Sequence, residues 1–147
     1  MIKKETFKLY NGIKIPKVGF GTWQITDEKE CIKSTLWALE AGYRHIDTAA
    51  AYQNETFIQK ALEKTPLERK DLFITSKLHA EKKGYEVARE EFFNTMKRLG
   101  LEYLDLYLIH APKPWNDKTD FDYMPLNIAS WKAMEELYEQ GLIKSIG

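Results

Sequence analysis

Apolar and polar positions along the chain switch repeatedly between the two-residue period of strands and the 3.6-residue spacing of helices. From Phe7 to Val18 the pattern predicts a β-hairpin. Asn11-Gly12 is a turn dipeptide that tolerates positive φ, and Lys8, Lys14 and Pro16 keep the hairpin edges polar. Lys17 to Gly21 reads as a short buried strand. Asp27 then opens a helix with Glu30 as its capping-box partner. Cys31, Thr35, Ala38 and Leu39 share one face of it, and Gly42 ends it.

The unit then recurs. His45-Ile46-Asp47 predicts a strand, followed by a helix over Glu55 to Glu63 with Ile58, Ala61 and Leu62 inward. Asp71 to Leu78 predicts a strand around Leu72, Phe73 and Ile74. The next helix runs from Tyr85 to Leu99 with Ala88, Phe92, Met96 and Leu99 as its stripe, closed by Gly100. Tyr103 to Ile109 is a strongly apolar strand. Asn127 to Gln140 is a helix carrying Ile128, Trp131, Met134 and Tyr138, stopped by Gly141, and Leu142 to Ile146 looks like the opening of a fifth strand. The longest irregular stretch, Ala111 to Leu126, has the length of a functional loop.

Four strands alternating with four helices imply an α/β architecture, a parallel sheet with right-handed crossovers. A complete (β/α)8 TIM barrel takes ~250 residues. The 147 residues therefore predict its N-terminal half, the first four βα units plus the start of strand five, behind an N-terminal hairpin. Half a barrel leaves strand edges unpaired and inner-face residues such as Leu106, Leu108 and Ile46 without an opposing half. Self-association is the expected consequence.

Composition narrows the function classes. Twenty-two basic and 22 acidic residues leave no net charge, which argues against nucleic-acid or polybasic membrane partners. No run approaches the ~18 apolar residues of a membrane span, and MIKKETFKLY carries no apolar core of a signal peptide. The lone Cys31 forms no internal disulfide, so a cytoplasmic location is expected.

Chemistry enters at the strand ends. Asp47 ends the second strand and Tyr52 lies five residues on. Lys77 sits near the end of the third strand, and His110 ends the fourth. In a barrel these ends share one face, where active sites are built. Carbonyl reduction needs a proton donor at the oxygen. A free tyrosine, with pKa ~10, is a poor acid near neutrality unless an ammonium stands beside it. Lys77 can supply that charge to Tyr52, Asp47 can hold Lys77, and His110 can orient the carbonyl. The set lacks a hydride source, which a nicotinamide would provide. Taken singly, the residues have plainer readings: a structural Asp47–Lys77 pair, a satisfied core histidine, a packed tyrosine. Their convergence on one face favours a site.

These segments resemble a known family. GYRHIDTAAAYQNE (Gly42 to Glu55) is similar to the first signature of the aldo-keto reductases, and GLEYLDLYLIHAPKPW (Gly100 to Trp115) to their second. ITSKL (Ile74 to Leu78) resembles their catalytic-lysine strand and GFGTW (Gly19 to Trp23) their first strand. The resemblance implies an NADPH-dependent reductase of aldehydes or ketones, with Tyr52 as proton donor, Lys77 and Asp47 as its partners and His110 as the orienting group. It also implies that Gly21, Thr22 and Asp47 contact the cofactor and that Trp23 walls the substrate pocket. His79 and Ala111 stand where members with bulky pockets carry Trp, which predicts a more open and more polar pocket with His79 among its substrate contacts. No metal site is expected. The family's lysine-centred stretch that grips the adenosine phosphate does not occur in these residues, so most of the cofactor site is expected to be missing and the chain inactive alone. Two other classes stay open: a non-catalytic binding or structural protein, and a barrel in which Lys77 forms a Schiff base.

Overall fold

The computed structural model describes residues 5–147. The hairpin forms from β1 (Thr6–Lys8) and β2 (Lys14–Pro16), antiparallel with Phe7 opposite Ile15. Its turn is wider than a two-residue connection: Leu9 N–H donates to Ile13 O at 2.8 Å and Gly12 N–H to Leu9 O at 2.9 Å, with Gly12 at φ +90°. The reason lies in Asn11, whose amide reaches the far end of the chain, donating to Lys144 O at 2.7 Å and Ser145 Oγ at 3.1 Å. The hairpin is thereby tied under the sheet.

The sheet has four parallel strands in sequential order: β3 (Phe20–Gly21), β4 (His45–Asp47), β5 (Phe73–Leu78) and β6 (Leu106–Ile109). Between them run α1 (Glu28–Glu40), α2 (Glu55–Leu62) and α3 (Tyr85–Leu99), with α4 (Met124–Glu139) after β6. The expected strand over residues 17–21 shortens to two residues and is not buried, because β3 is an edge strand paired on one side only. Leu142 to Gly147 lies along β6 with parallel bridges Leu104–Ile143 and Tyr107–Ile146. β6 itself starts late because Asp105 uses its carboxylate to accept from Ile74 N–H at 2.8 Å and from Arg69 at 2.6 Å.

Local chemistry sets the helix ends. Asp27 accepts from Glu30 N–H at 2.8 Å to cap α1, and Gly100 closes α3 at φ +65°. α4 begins at Met124 rather than Asn127, with Pro125 in its first turn, where a missing N–H costs nothing. Its buried face is Ser130, Ala133, Met134 and Leu137; of the expected stripe Met134 is buried, and Trp131 and Tyr138 are partly buried against the core. Ile128 is half-exposed. Small residues win because α4 packs closely on the start of α3, where Ser130 Oγ accepts from Gly84 N–H at 2.8 Å.

The core lies between sheet and helices, with Ile46, Ile74, Leu78, Phe92, Tyr107 and Met134 among its members. Ile46 is fully buried there. It faces the helices and not the barrel interior, a correction to the inner-face expectation. Alternation along the strands sends its neighbours Asp47, Thr75 and Lys77 the other way.

His45 also points inward, its Nε2 2.9 Å from Thr75 Oγ1 and its ring edge-on to Phe73 at 5.0 Å. A Cβ at Gly19 would come within 2.6 Å of this ring, so only glycine fits there. Burial, opposed by Asp47 and reinforced by Lys77, lowers the pKa of His45 below its usual 6.5. The folded protein therefore keeps His45 neutral at a pH where the unfolded chain takes up a proton. Stability is flat above the unfolded value and falls as pH drops through it, by at most about 1.4 kcal/mol per pH unit for each such histidine. Urea unfolding at pH 7.5 and 5.5 should show this loss, and His45→Gln should reduce it. Equal losses in the two proteins would overturn the assignment.

Candidate active site

The catalytic candidates stand at the C-terminal ends of adjacent strands. Asp47 is the last residue of β4, Lys77 the penultimate residue of β5, and His110 follows β6. Tyr52 is brought back over them by a single 3-10 turn, Ala50–Tyr52, ended by Gln53 in the left-handed region at φ +58°. A non-glycine residue there carries a local backbone cost.

The Lys77 ammonium has three oxygen partners: Asp47 Oδ1 at 2.5 Å, Thr48 O at 2.9 Å and Tyr52 Oη at 3.3 Å. It also lies 4.9 Å from the centre of the Tyr52 ring. The lysine side chain is 12% exposed and the Asp47 side chain 32%, so the cation is largely withdrawn from water while its counter-ion stays partly exposed. His110 packs edge-on against Tyr52 at 5.7 Å. Its Nδ1 is buried without a hydrogen bond, which a satisfied core histidine would not leave. Burial first, then the charges of Lys77 and His79, lower the pKa of His110 below 6.5, with Asp47 opposing. The ring is neutral at pH 7. All four predicted residues therefore meet at one place.

A cleft of about 500 Å³ opens on this cluster, lined by Trp23, Ala51, Tyr52, His110 and Trp115. Trp115 comes from the long loop and stands edge-on to both His110 at 5.0 Å and His79 at 5.3 Å. The lining is mainly aromatic, with Tyr52 and His110 as its polar groups. His79 does not line the cleft. It backs Trp115 and accepts from Glu81 N–H at 3.1 Å through Nδ1.

The residues expected to meet the cofactor divide. Gly21 is exposed, and a Cβ built on it meets nothing within 4 Å, so its backbone is open to a flat ligand. Thr22 is fully buried. Its N–H and hydroxyl both donate to Asp47 O, at 3.0 and 3.2 Å, and its carbonyl accepts from Asn54 and Ile25. It holds the turn rather than offering a polar group. The open Gly21 backbone, the exposed Trp23 and the partly exposed Asp47 carboxylate are the groups here that could hold a cofactor. Among the described residues no group of three or more His, Cys, Asp or Glu could hold a metal ion, and no helix is long and apolar enough to cross a membrane.

Sequence reasoning missed the scaffold of the site. Lys83, buried beyond β5, donates to Ala111 O at 2.8 Å and Asn127 Oδ1 at 2.9 Å, and Asn127 donates to Pro112 O at 2.7 Å. The base of the Trp115 loop is thus clamped to α4. Neither residue lies in a motif that announces this.

The sequence model of the Aldo/keto reductase family matches residues 17–147. The chain belongs to the aldo/keto reductase family. It is 43% identical over 147 residues to the methylglyoxal reductase of Escherichia coli (strain K12), covering 100% of this chain and 50% of that one. The crystal structure of an aldo/keto reductase from Brucella melitensis superposes with a TM-score of 0.86 at 41% identity, covering 97% of this chain and 52% of that one. The Bombyx mori aldo-keto reductase solved in complex with NADP superposes with a TM-score of 0.85 at 35% identity, covering 97% and 49%. The chain spans about half the length of the relatives it matches, and the fold is a partial TIM barrel.

Proposed function

We propose that the protein to which these residues belong reduces small aldehydes or ketones to alcohols with NADPH. The observation that carries this reading is the Lys77 ammonium, held by Asp47 at 2.5 Å with the Tyr52 hydroxyl 3.3 Å away. A reductase relative that acts on methylglyoxal and a neighbour solved with NADP support the substrate class and the cofactor. Gly21 and Asp47 would hold the nicotinamide end, and the bound cofactor would supply the hydride to the carbonyl carbon.

The chain's own groups then manage the proton. The Tyr52 hydroxyl gives its proton to the carbonyl oxygen, and the phenolate left behind is stabilised by Lys77. Asp47 and Thr48 O fix the ammonium so that it need not reorganise during the step. His110, neutral at pH 7, keeps one ring N–H for the carbonyl oxygen, while Trp23 and Trp115 exclude water and hold the substrate between apolar walls. A Schiff-base mechanism requires a lysine nitrogen free to attack, whereas that of Lys77 is engaged by three oxygen partners.

The test is NADPH oxidation in the presence of methylglyoxal, with Tyr52→Phe as the probe. We expect the variant to lose reduction by about a hundredfold or more, the scale of a missing general acid, while cofactor binding measured by tryptophan quenching is retained. Reduction retained by Tyr52→Phe would overturn the role of the hydroxyl. Cofactor binding lost in parallel would make that role structural.

A further inference from the structure

Asn54 sits at the N-cap of α2, where an asparagine side chain normally accepts from the first turn of its helix. Here it makes no such bond. Only its backbone oxygen serves the helix, accepting from Phe57 N–H at 2.9 Å and Ile58 N–H at 3.1 Å. The side chain is fully buried and turned away. Nδ2 donates to Thr22 O at 2.8 Å and Ile25 O at 3.1 Å. Oδ1 accepts from Thr48 Oγ1 at 3.0 Å, while Thr22 Oγ1, whose proton goes to Asp47 O at 3.2 Å, lies 3.5 Å away. Two carbonyls on one side and the Thr48 hydroxyl on the other fix which end is nitrogen, and three of the four bonds an amide can form are made.

These partners belong to two different loops. Thr22 and Ile25 lie in the turn after β3 that carries Gly21 and Trp23. Thr48 follows β4, and its carbonyl is one of the three oxygens on Lys77. Thr48 N–H is tied in turn to Thr75 O at 3.0 Å. A single amide therefore stands between the wall of the cleft and the support of the ammonium.

We infer that Asn54 is a positioning residue that sets the place of Lys77 relative to the Tyr52 hydroxyl, by clamping Thr48 to the Gly21–Ile25 turn. The inference rests on the reading of Tyr52 as proton donor. A buried amide with three bonds to two loops holds them in one arrangement, and a cation held in one place acts on its neighbour with constant strength. With the clamp broken, the Thr48 carbonyl is free to shift and the ammonium is held by the more exposed Asp47 carboxylate alone. The phenolate that Tyr52 leaves behind then loses part of its support.

The experiment uses the whole protein that carries this chain. Asn54→Asp keeps the shape and the acceptor facing Thr48, but sets a carboxylate oxygen against the two carbonyls of Thr22 and Ile25. Turnover at neutral pH should fall about tenfold or more, the scale of a small displacement in a site. The alkaline limb of the turnover profile should also move up by about half a pH unit or more. A purely structural role would lower the active fraction and leave that limb in place. Thr48→Val removes only the hydroxyl that meets Oδ1 and should move the limb the same way by less, which keeps the inference testable if Asn54→Asp does not fold. An unmoved limb in the folded variants, with Tyr52→Phe inactive, overturns this inference alone. Activity retained by Tyr52→Phe overturns the functional reading beneath it.

Discussion

Lys77→Met should reduce carbonyl turnover by about a thousandfold while the protein keeps its fold. The two effects separate because of where the charges lie. Lys77 is largely buried, and among the described residues its ammonium is the only cation hydrogen-bonded to the Tyr52 hydroxyl. Methionine fills the same apolar stem and removes the charge. Tyr52 then loses the group that would stabilise its phenolate, and the barrier to proton transfer rises by the full worth of that interaction. Asp47 is left without its ion pair, but its side chain is 32% exposed. Water can take the place of the ammonium, so the stability cost stays in the range of a partly exposed pair. Steady-state kinetics beside a thermal melt decide the matter. Turnover within tenfold of the native protein would remove Lys77 from the acid machinery. A large fall in melting temperature would instead show that the ion pair is chiefly structural.

The candidate site was legible in the sequence for a topological reason. Once the strand and helix periods identify parallel βα units, the C-terminal ends of successive strands must share one face, so Asp47, Lys77 and His110 converge without any knowledge of packing. The period of each element also placed α3 to the residue, since Gly100 supplies the left-handed closure its C-terminus needs. What the periods do not carry is the identity of the closest contact. α4 shows this: Ile128, Trp131 and Tyr138 dominate the pattern by size, yet the seam against α3 selects Ser130 and Ala133 because they are small. Asn54 and Lys83 were invisible for a related reason. Their local positions, a helix cap and a charged loop, are satisfied by readings that need no partner. The bonds they make reach 28 to 44 residues for Lys83 and up to 32 for Asn54. The packing of Trp115 against both His79 and His110 depends on a loop path that composition does not encode.

Glu55 is the sharpest case, a charged residue at the first position of a helix that a local reading leaves in water. It is 1% exposed. Its Oε1 accepts from Ser76 Oγ at 2.6 Å and its Oε2 from Arg98 Nε at 2.7 Å, and Arg98 also donates to Glu91 Oε1 at 2.6 Å and to Thr95 Oγ1 at 3.0 Å. The arginine thus joins α3 to the start of α2, and Ser76 joins both to the residue beside Lys77. Removing one partner of a buried pair leaves the other charge unpaired, which costs about 3 to 5 kcal/mol. Arg98 is one-third exposed and Ser76 remains, so Arg98→Met should cost about 3 kcal/mol, the lower end of that range. Burial already raises the pKa of Glu55 against the lowering effect of Ser76 and Arg98, and without the arginine it rises further. A carboxyl raised in the fold favours the folded state at low pH and loses that contribution as pH climbs through the raised value. The gap between Arg98→Met and the native protein should therefore narrow as pH falls toward about 5. Chemical denaturation across this range tests the assignment together with a double variant. Glu55→Gln added to Arg98→Met removes the orphaned charge and should recover part of the loss. A gap independent of pH, or a double variant less stable than Arg98→Met alone, would show that the cost comes from lost packing of the arginine stem and not from the buried carboxylate.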